Sequence, residues 1–147
     1  MIVADTNLIA YLLIEGERTE VARAVWAKDS RWMLPTLWRS EFLNVLTTSV
    51  RAGIFELAQA QAIWQVALAT FNQNEVEPSG EHVLETAAAR NLSAHDAQFV
   101  VAAADLDVPL VTQDRRLLEA CPDLAVAPER FRPPRTRSVS GSRARPR

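Results

Sequence analysis

Short apolar runs of strand length recur along this chain between longer segments whose apolar residues return every three or four positions. That alternation limits the fold more than any other feature, because period-2 and period-3.6 segments cannot exchange roles. Met1 to Ala4, Trp32 to Leu34, Glu75 to Glu77, Pro109 to Thr112 and Leu124 to Ala127 read as strands, with Pro35 and Pro78 as stops. Helical spacing covers Leu8 to Ile14, Thr19 to Lys28 with Val21, Ala24 and Val25 inward, Leu37 to Val50, Leu57 to Phe71, Glu81 to Arg90 and Ser93 to Ala104. Gly53 falls just past the third of these, and a short helix starts at Asp114 and runs to Ala120. Strands separated by helices predict an α/β fold with a central, mainly parallel sheet covered on both faces, a three-layer α/β/α sandwich.

A chain of 147 residues, 48% of them hydrophobic, suffices for one such core and not for two. We expect one domain over residues 1–131 and a basic, disordered tail over 132–147, where Arg, Pro and Ser dominate and no core can form. No apolar run is long enough for a membrane span, and the N-terminus lacks a basic flank and a cleavage site, so a cytoplasmic protein without membrane contact is expected. The lone Cys121 excludes an internal disulfide and a thiolate metal cage. The net charge of -2 conceals a division: residues 1–131 hold all 18 acidic side chains against ten basic ones, a balance of -8, and the tail carries +6. An acidic body repels phosphates, so any nucleic-acid chemistry must rely on local arginines or on a bound cation.

Four carboxylates stand out. Asp5 and Asp114 each follow a strand directly, the edge at which open parallel sheets bind ligands. Glu41 shares a helical face with Trp38, Phe42 and Val45, and Asp96 shares one with Phe99, Val100 and Ala103, where an unpaired charge is costly. Taken singly, each has a plainer reading: Asp5 and Asp114 suit helix N-termini, and Ser93 to Asp96 has capping-box spacing. Taken together, four acids in one cleft would repel one another unless cations neutralised them. Oxygen donors without thiolates favour Mg²⁺ or Mn²⁺, which activate water and stabilise a leaving oxygen in phosphodiester hydrolysis.

The sequence resembles the PIN-domain ribonucleases, in particular toxins of the VapC type. Val3-Ala4-Asp5-Thr6-Asn7 is similar to the first motif of that family, and Ser40-Glu41-Phe42-Leu43-Asn44-Val45-Leu46 to the second. Leu92-Ser93-Ala94-His95-Asp96-Ala97 is similar to the third, and Leu110-Val111-Thr112-Gln113-Asp114-Arg115-Arg116-Leu117 to the fourth. The likeness covers about residues 1–130, and its specificity lies in four weak motifs occurring in order. It implies that Asp5, Glu41, Asp96 and Asp114 bind the metal and carry catalysis, that Thr112 orients a carboxylate, and that Asn7 lines the cleft. It further implies an RNA substrate, a homodimer and a VapB-type antitoxin that covers the cleft.

His95 departs from the family, which more often has an aromatic there, and a metal-activated water needs no imidazole base. Arg39, Arg51, Arg115 and Arg116 are candidates for substrate or partner contact, against a plainer reading as surface ion pairs. The tail either grips RNA phosphates without sequence selectivity or is simply solvated. Trp26, Trp32, Trp38 and Trp64 fall at core spacing and read as packing, and His82 reads as a surface residue. A receiver-type or dehalogenase-type phosphoryl-transfer domain also places an aspartate after its first strand. It needs a lysine near the phosphate, and the chain's one lysine, Lys28, lies in a helix far from any strand end. The remaining alternative is a PIN-like module that binds RNA or a partner without turnover, which metal titration and a cleavage assay would separate.

Overall fold

The computed structural model describes residues 1–135, so the expectation for most of the tail lies outside the described residues. In chain order the elements are β1 (Ile2–Ala4), α1 (Thr6–Leu13), α2 (Thr19–Lys28), β2 (Trp32–Pro35), α3 (Trp38–Arg51), α4 (Leu57–Phe71) and β3 (Glu75–Val76). They continue with α5 (Gly80–Arg90), α6 (Ala94–Leu106), β4 (Leu110–Val111), α7 (Arg115–Ala120), β5 (Ala125–Val126) and a 3₁₀ turn at Pro128–Arg130. All strand pairs are parallel, and the sheet order is β3-β2-β1-β4-β5. From β1 the chain winds outward through β2 to β3, then returns to β4 on the other side of β1. The topological switch point therefore lies between β1 and β4, where the connections leaving the two strands diverge and open a crevice.

Alternation along β1 divides the interior. Ile2 and Ala4 face a core built with α1 to α4, whereas Val3 faces a second core with α6 and α7. Leu110 and Val111 of β4 part in the same way. The result is the three-layer α/β/α arrangement with helices on both faces of the sheet. In the first core Trp32, Trp38, Phe42 and Phe71 are fully buried, and the half-buried Trp26 and Trp64 pack against them. Trp26 meets Trp32 edge-on at 5.1 Å, and Trp38 meets Phe71 at 5.9 Å and 71°. Such pairs add about 0.5–1.5 kcal/mol each beyond the area they bury. The tryptophans are packing residues.

Local chemistry ends the helices where the sequence suggests. Gly53 takes the left-handed conformation just past α3, at φ 72°, and the Ser93 hydroxyl caps α6 by accepting from the Asp96 N–H at 3.1 Å. One helix presents a different face from the expected one: in α2 the buried positions are Thr19, Ala22 and Val25, and Ala24 is exposed. Alanines at 22, 24 and 27 give the helix no strong apolar stripe, so its rotation is set by contacts with α1 and the 3₁₀ turn. Phe131, just past that turn, is buried in the first core, while Arg132 to Arg135 are exposed.

Candidate active site

Four elements from distant parts of the chain deliver the acids to the switch-point crevice. Asp5 follows β1, Asp114 follows β4, Glu41 sits in the first turn of α3 and Asp96 in the first turn of α6. All four line a single cleft of about 210 Å³, together with Thr6, Asn7, Asn44 and Val45. Asp5 is the most enclosed, at 8% exposure, and the other three are half-buried.

Hydrogen bonds fix one oxygen of three of these carboxylates. The fully buried Thr112 hydroxyl donates to Asp5 Oδ2 at 2.6 Å and accepts from the Asp114 N–H at 3.0 Å, joining the ends of β1 and β4. The Thr6 hydroxyl donates to Glu41 Oε1 at 3.0 Å. Asp114 Oδ1 accepts from the N–H groups of Arg116 and Leu117 and so caps α7. Asp5 occupies the N-cap position of α1 but spends no side-chain bond on the cap. Among the described residues no side chain donates to the second oxygen of any of the three.

The electrostatics reflect the crowding. Burial pushes the Asp5 carboxyl above its ordinary value against the pull of the Thr112 hydroxyl and Thr6 amide, and the charges of Asp114 and Asp96 push it further. Glu41 is raised first by burial and then by Asp5 and Asp96, while Thr6 and His95 act the other way. A cation in the cleft would relieve both groups. The all-oxygen donor set suits a hard divalent ion, and Asp5, Glu41, Asp96 and Asp114 are the residues that would hold it. Among the described residues, however, no three acidic, histidine or cysteine side chains stand close enough to share one ion as they are oriented.

A family model of the PIN domain matches residues 2–121, most of the chain. The chain belongs to the PIN domain family. Solved structures similar to this PIN domain include PAE2754 from Pyrobaculum aerophilum, at 23% identity and TM-score 0.66 over 84% of this chain and 81% of that one. A toxin-antitoxin complex from Klebsiella pneumoniae aligns at 19% identity and TM-score 0.64, over 87% of this chain and 98% of that one. FitAcB from Neisseria gonorrhoeae aligns at 16% identity and TM-score 0.64, over 89% and 100%. At such identities these likenesses establish the fold alone. No curated protein matches the chain. PIN domains are generally nucleases and usually use divalent metal ions.

The other candidates do not line this PIN domain's cleft. Arg39 is held by Glu75 through Nε at 2.5 Å and Nη2 at 3.2 Å, and Arg115 approaches Glu119 at 3.9 Å. Arg116 and His82 are exposed. Arg51 borders an apolar recess of about 320 Å³ between α3 and α4 that contains no carboxylate. His95 is exposed at the start of α6 and acts on Glu41 through its charge. Two residues of the cleft escaped the sequence reading. Asn44 had a usable signal, since it lies three positions after Glu41 on one helical face. Thr6 had none, because its partner Glu41 is 35 positions away. Among the described residues no helix is long and apolar enough to cross a membrane.

Proposed function

We propose that this PIN domain is a Mg²⁺- or Mn²⁺-dependent endoribonuclease, acting in the cytoplasm as the toxin of a toxin–antitoxin pair. The observation that carries the reading is the convergence of Asp5, Glu41, Asp96 and Asp114, from four separate elements, on one crevice at the switch point of the sheet. Asp5, Glu41, Asp96 and Asp114 serve as metal ligands and thereby as the catalytic set. Bound there, the ion would neutralise the approaching phosphate and activate water for in-line attack on phosphorus. Thr112 and Thr6 are positioning residues: each restrains one oxygen of a carboxylate and so presents the other. Asn7 and Asn44 offer amide groups along the cleft, suited to phosphate or sugar oxygens.

The partner reading rests on the VapC-like motifs and on the fold shared with the Klebsiella pneumoniae toxin-antitoxin complex. By that resemblance the protein is a homodimer silenced by a VapB-type antitoxin that covers the cleft. The testing experiment incubates purified protein with single-stranded RNA, with Mg²⁺ or Mn²⁺ and with a chelator. Hydrolysis is expected only with metal, leaving a 5′-phosphate and a 3′-hydroxyl. Cleavage in chelator, or a cyclic phosphate product, would reject the mechanism. RNA binding without turnover would turn the protein into a binding module.

A further inference from the structure

One side chain outside the cleft grips the turn that builds it. Residues 112–114 carry the chain from β4 to α7 and supply two groups of the site, the Thr112 hydroxyl on Asp5 and the Asp114 carboxylate. Thr112 is anchored twice, through its N–H on the Val126 carbonyl at 3.1 Å and through its hydroxyl on Asp5. Asp114 is anchored through its N–H on Thr112 and through Oδ1 on the first turn of α7. Gln113, between them, makes no backbone hydrogen bond among the described residues, and its one side-chain bond there comes from Arg18, 95 positions away.

Arg18 is itself fixed from two further sides. The nitrogen that serves Gln113, Nη2, also donates to Glu129 Oε1 at 2.5 Å, in the 3₁₀ turn. The guanidinium lies 5.8 Å from the centre of the Tyr11 ring on α1, the helix that starts beside Asp5, within the range of cation–π attraction. As an ion pair, Arg18 and Glu129 contribute little to stability, because their side chains are 34% and 46% exposed. The consequence of the contact lies at the turn. A guanidinium anchored on two other segments sets the position of Gln113, and with it that of the residues on either side. Resting on the metal reading above, we infer that Arg18 is a positioning residue of the cleft: through Gln113 it holds the 112–114 turn so that Asp114 stands beside Asp5 where both can meet the ion. Groups behind a metal ligand tune affinity in this way, by orienting the ligand rather than touching the metal.

The test measures metal binding by the full-length protein without RNA or turnover, with free Mn²⁺ read from its EPR signal. Arg18→Ala and Gln113→Ala should each weaken Mn²⁺ about tenfold, the lower end of what groups behind a ligand contribute. Because the two act through one bond, the double variant should lose no more than either alone. In an Asp114→Asn background, Arg18→Ala should add nothing. Should Arg18→Ala not fold, Gln113→Ala, which leaves the pair of Arg18 and Glu129 intact, carries the same test. Unchanged affinity in the folded variants, additive losses, or an equal loss beside Asp114→Asn would overturn the inference, and a general loosening of the fold would give the last two. A second measurement, in chelator, separates it from the metal reading. The NMR amide signals of Asp114, Arg116 and Leu117, whose acceptors are the Thr112 and Asp114 side chains, should move in Arg18→Ala and Gln113→Ala. Signals that stay in place mean that Arg18 positions nothing. Signals that move in a protein that binds no Mn²⁺ leave the hold on the turn standing and remove the metal reading.

Discussion

Thr112→Val removes one oxygen from the centre of the site and changes little else in shape. That hydroxyl is fully buried and makes two bonds, to the Asp5 carboxylate at 2.6 Å and from the Asp114 N–H at 3.0 Å. Losing a bond to a charged group costs about 1.5–3 kcal/mol, and stranding an N–H about 1–3 more. Because Asp114 borders an open cleft, water can reach its amide, which places the total in the lower part of that range, roughly 2.5–4 kcal/mol. The cost must also depend on pH. The Asp5 pKa is already raised by burial, and the hydroxyl opposes the rise, so the valine variant will carry a still higher one. The bond to an ionised carboxylate counts fully above both folded pKa values and fades as Asp5 is protonated. Urea unfolding of both proteins in chelator should therefore show the gap at its widest near pH 7 and narrowing as the pH falls towards 3.8, the ordinary value. A gap under about 1 kcal/mol at pH 7, or one that widens in acid, would refute the reasoning.

Asp5→Asn should stabilise the metal-free protein at neutral pH while abolishing cleavage. Its raised pKa means that the folded chain keeps the proton to higher pH than the unfolded one, so ionisation penalises folding at pH 7. Thermal melts in chelator should show that gain disappear below pH 3.8. Phe71→Ala deletes a fully buried ring in contact with Trp26, Trp32 and Trp38, and should cost roughly 3–5 kcal/mol in a denaturant titration. Cys121 is fully buried and its thiol pKa is raised by that burial, so a disulfide exchange reagent at pH 8 should label it only after unfolding.

Much of the architecture was legible because each strand and helix carries its own period. The helices from Thr19 to Lys28 and from Leu57 to Phe71 fall at those bounds, and every predicted strand lies in the sheet. The strand order was not legible, since pairing β1 with β4 joins residues more than a hundred positions apart. At the site, position after a strand marked Asp5 and Asp114, and an acid on an apolar face marked Glu41 and Asp96. What each carboxylate does with its oxygens was beyond sequence reasoning. Asp114 caps α7 while lining the cleft, so the structural and functional readings of that residue hold together, whereas Asp5 makes no capping bond. Arg39 likewise gave no sign that Glu75, on a strand 36 positions away, would claim it.

Whether the gathered acids hold a metal is answered most directly by locating one. Crystals soaked in Mn²⁺ and measured at the manganese absorption edge should give an anomalous peak in the crevice between β1 and β4, within coordination distance of Asp5 and at least two of Glu41, Asp96 and Asp114. Peaks confined to other surfaces, or none at saturating Mn²⁺, would contradict the account.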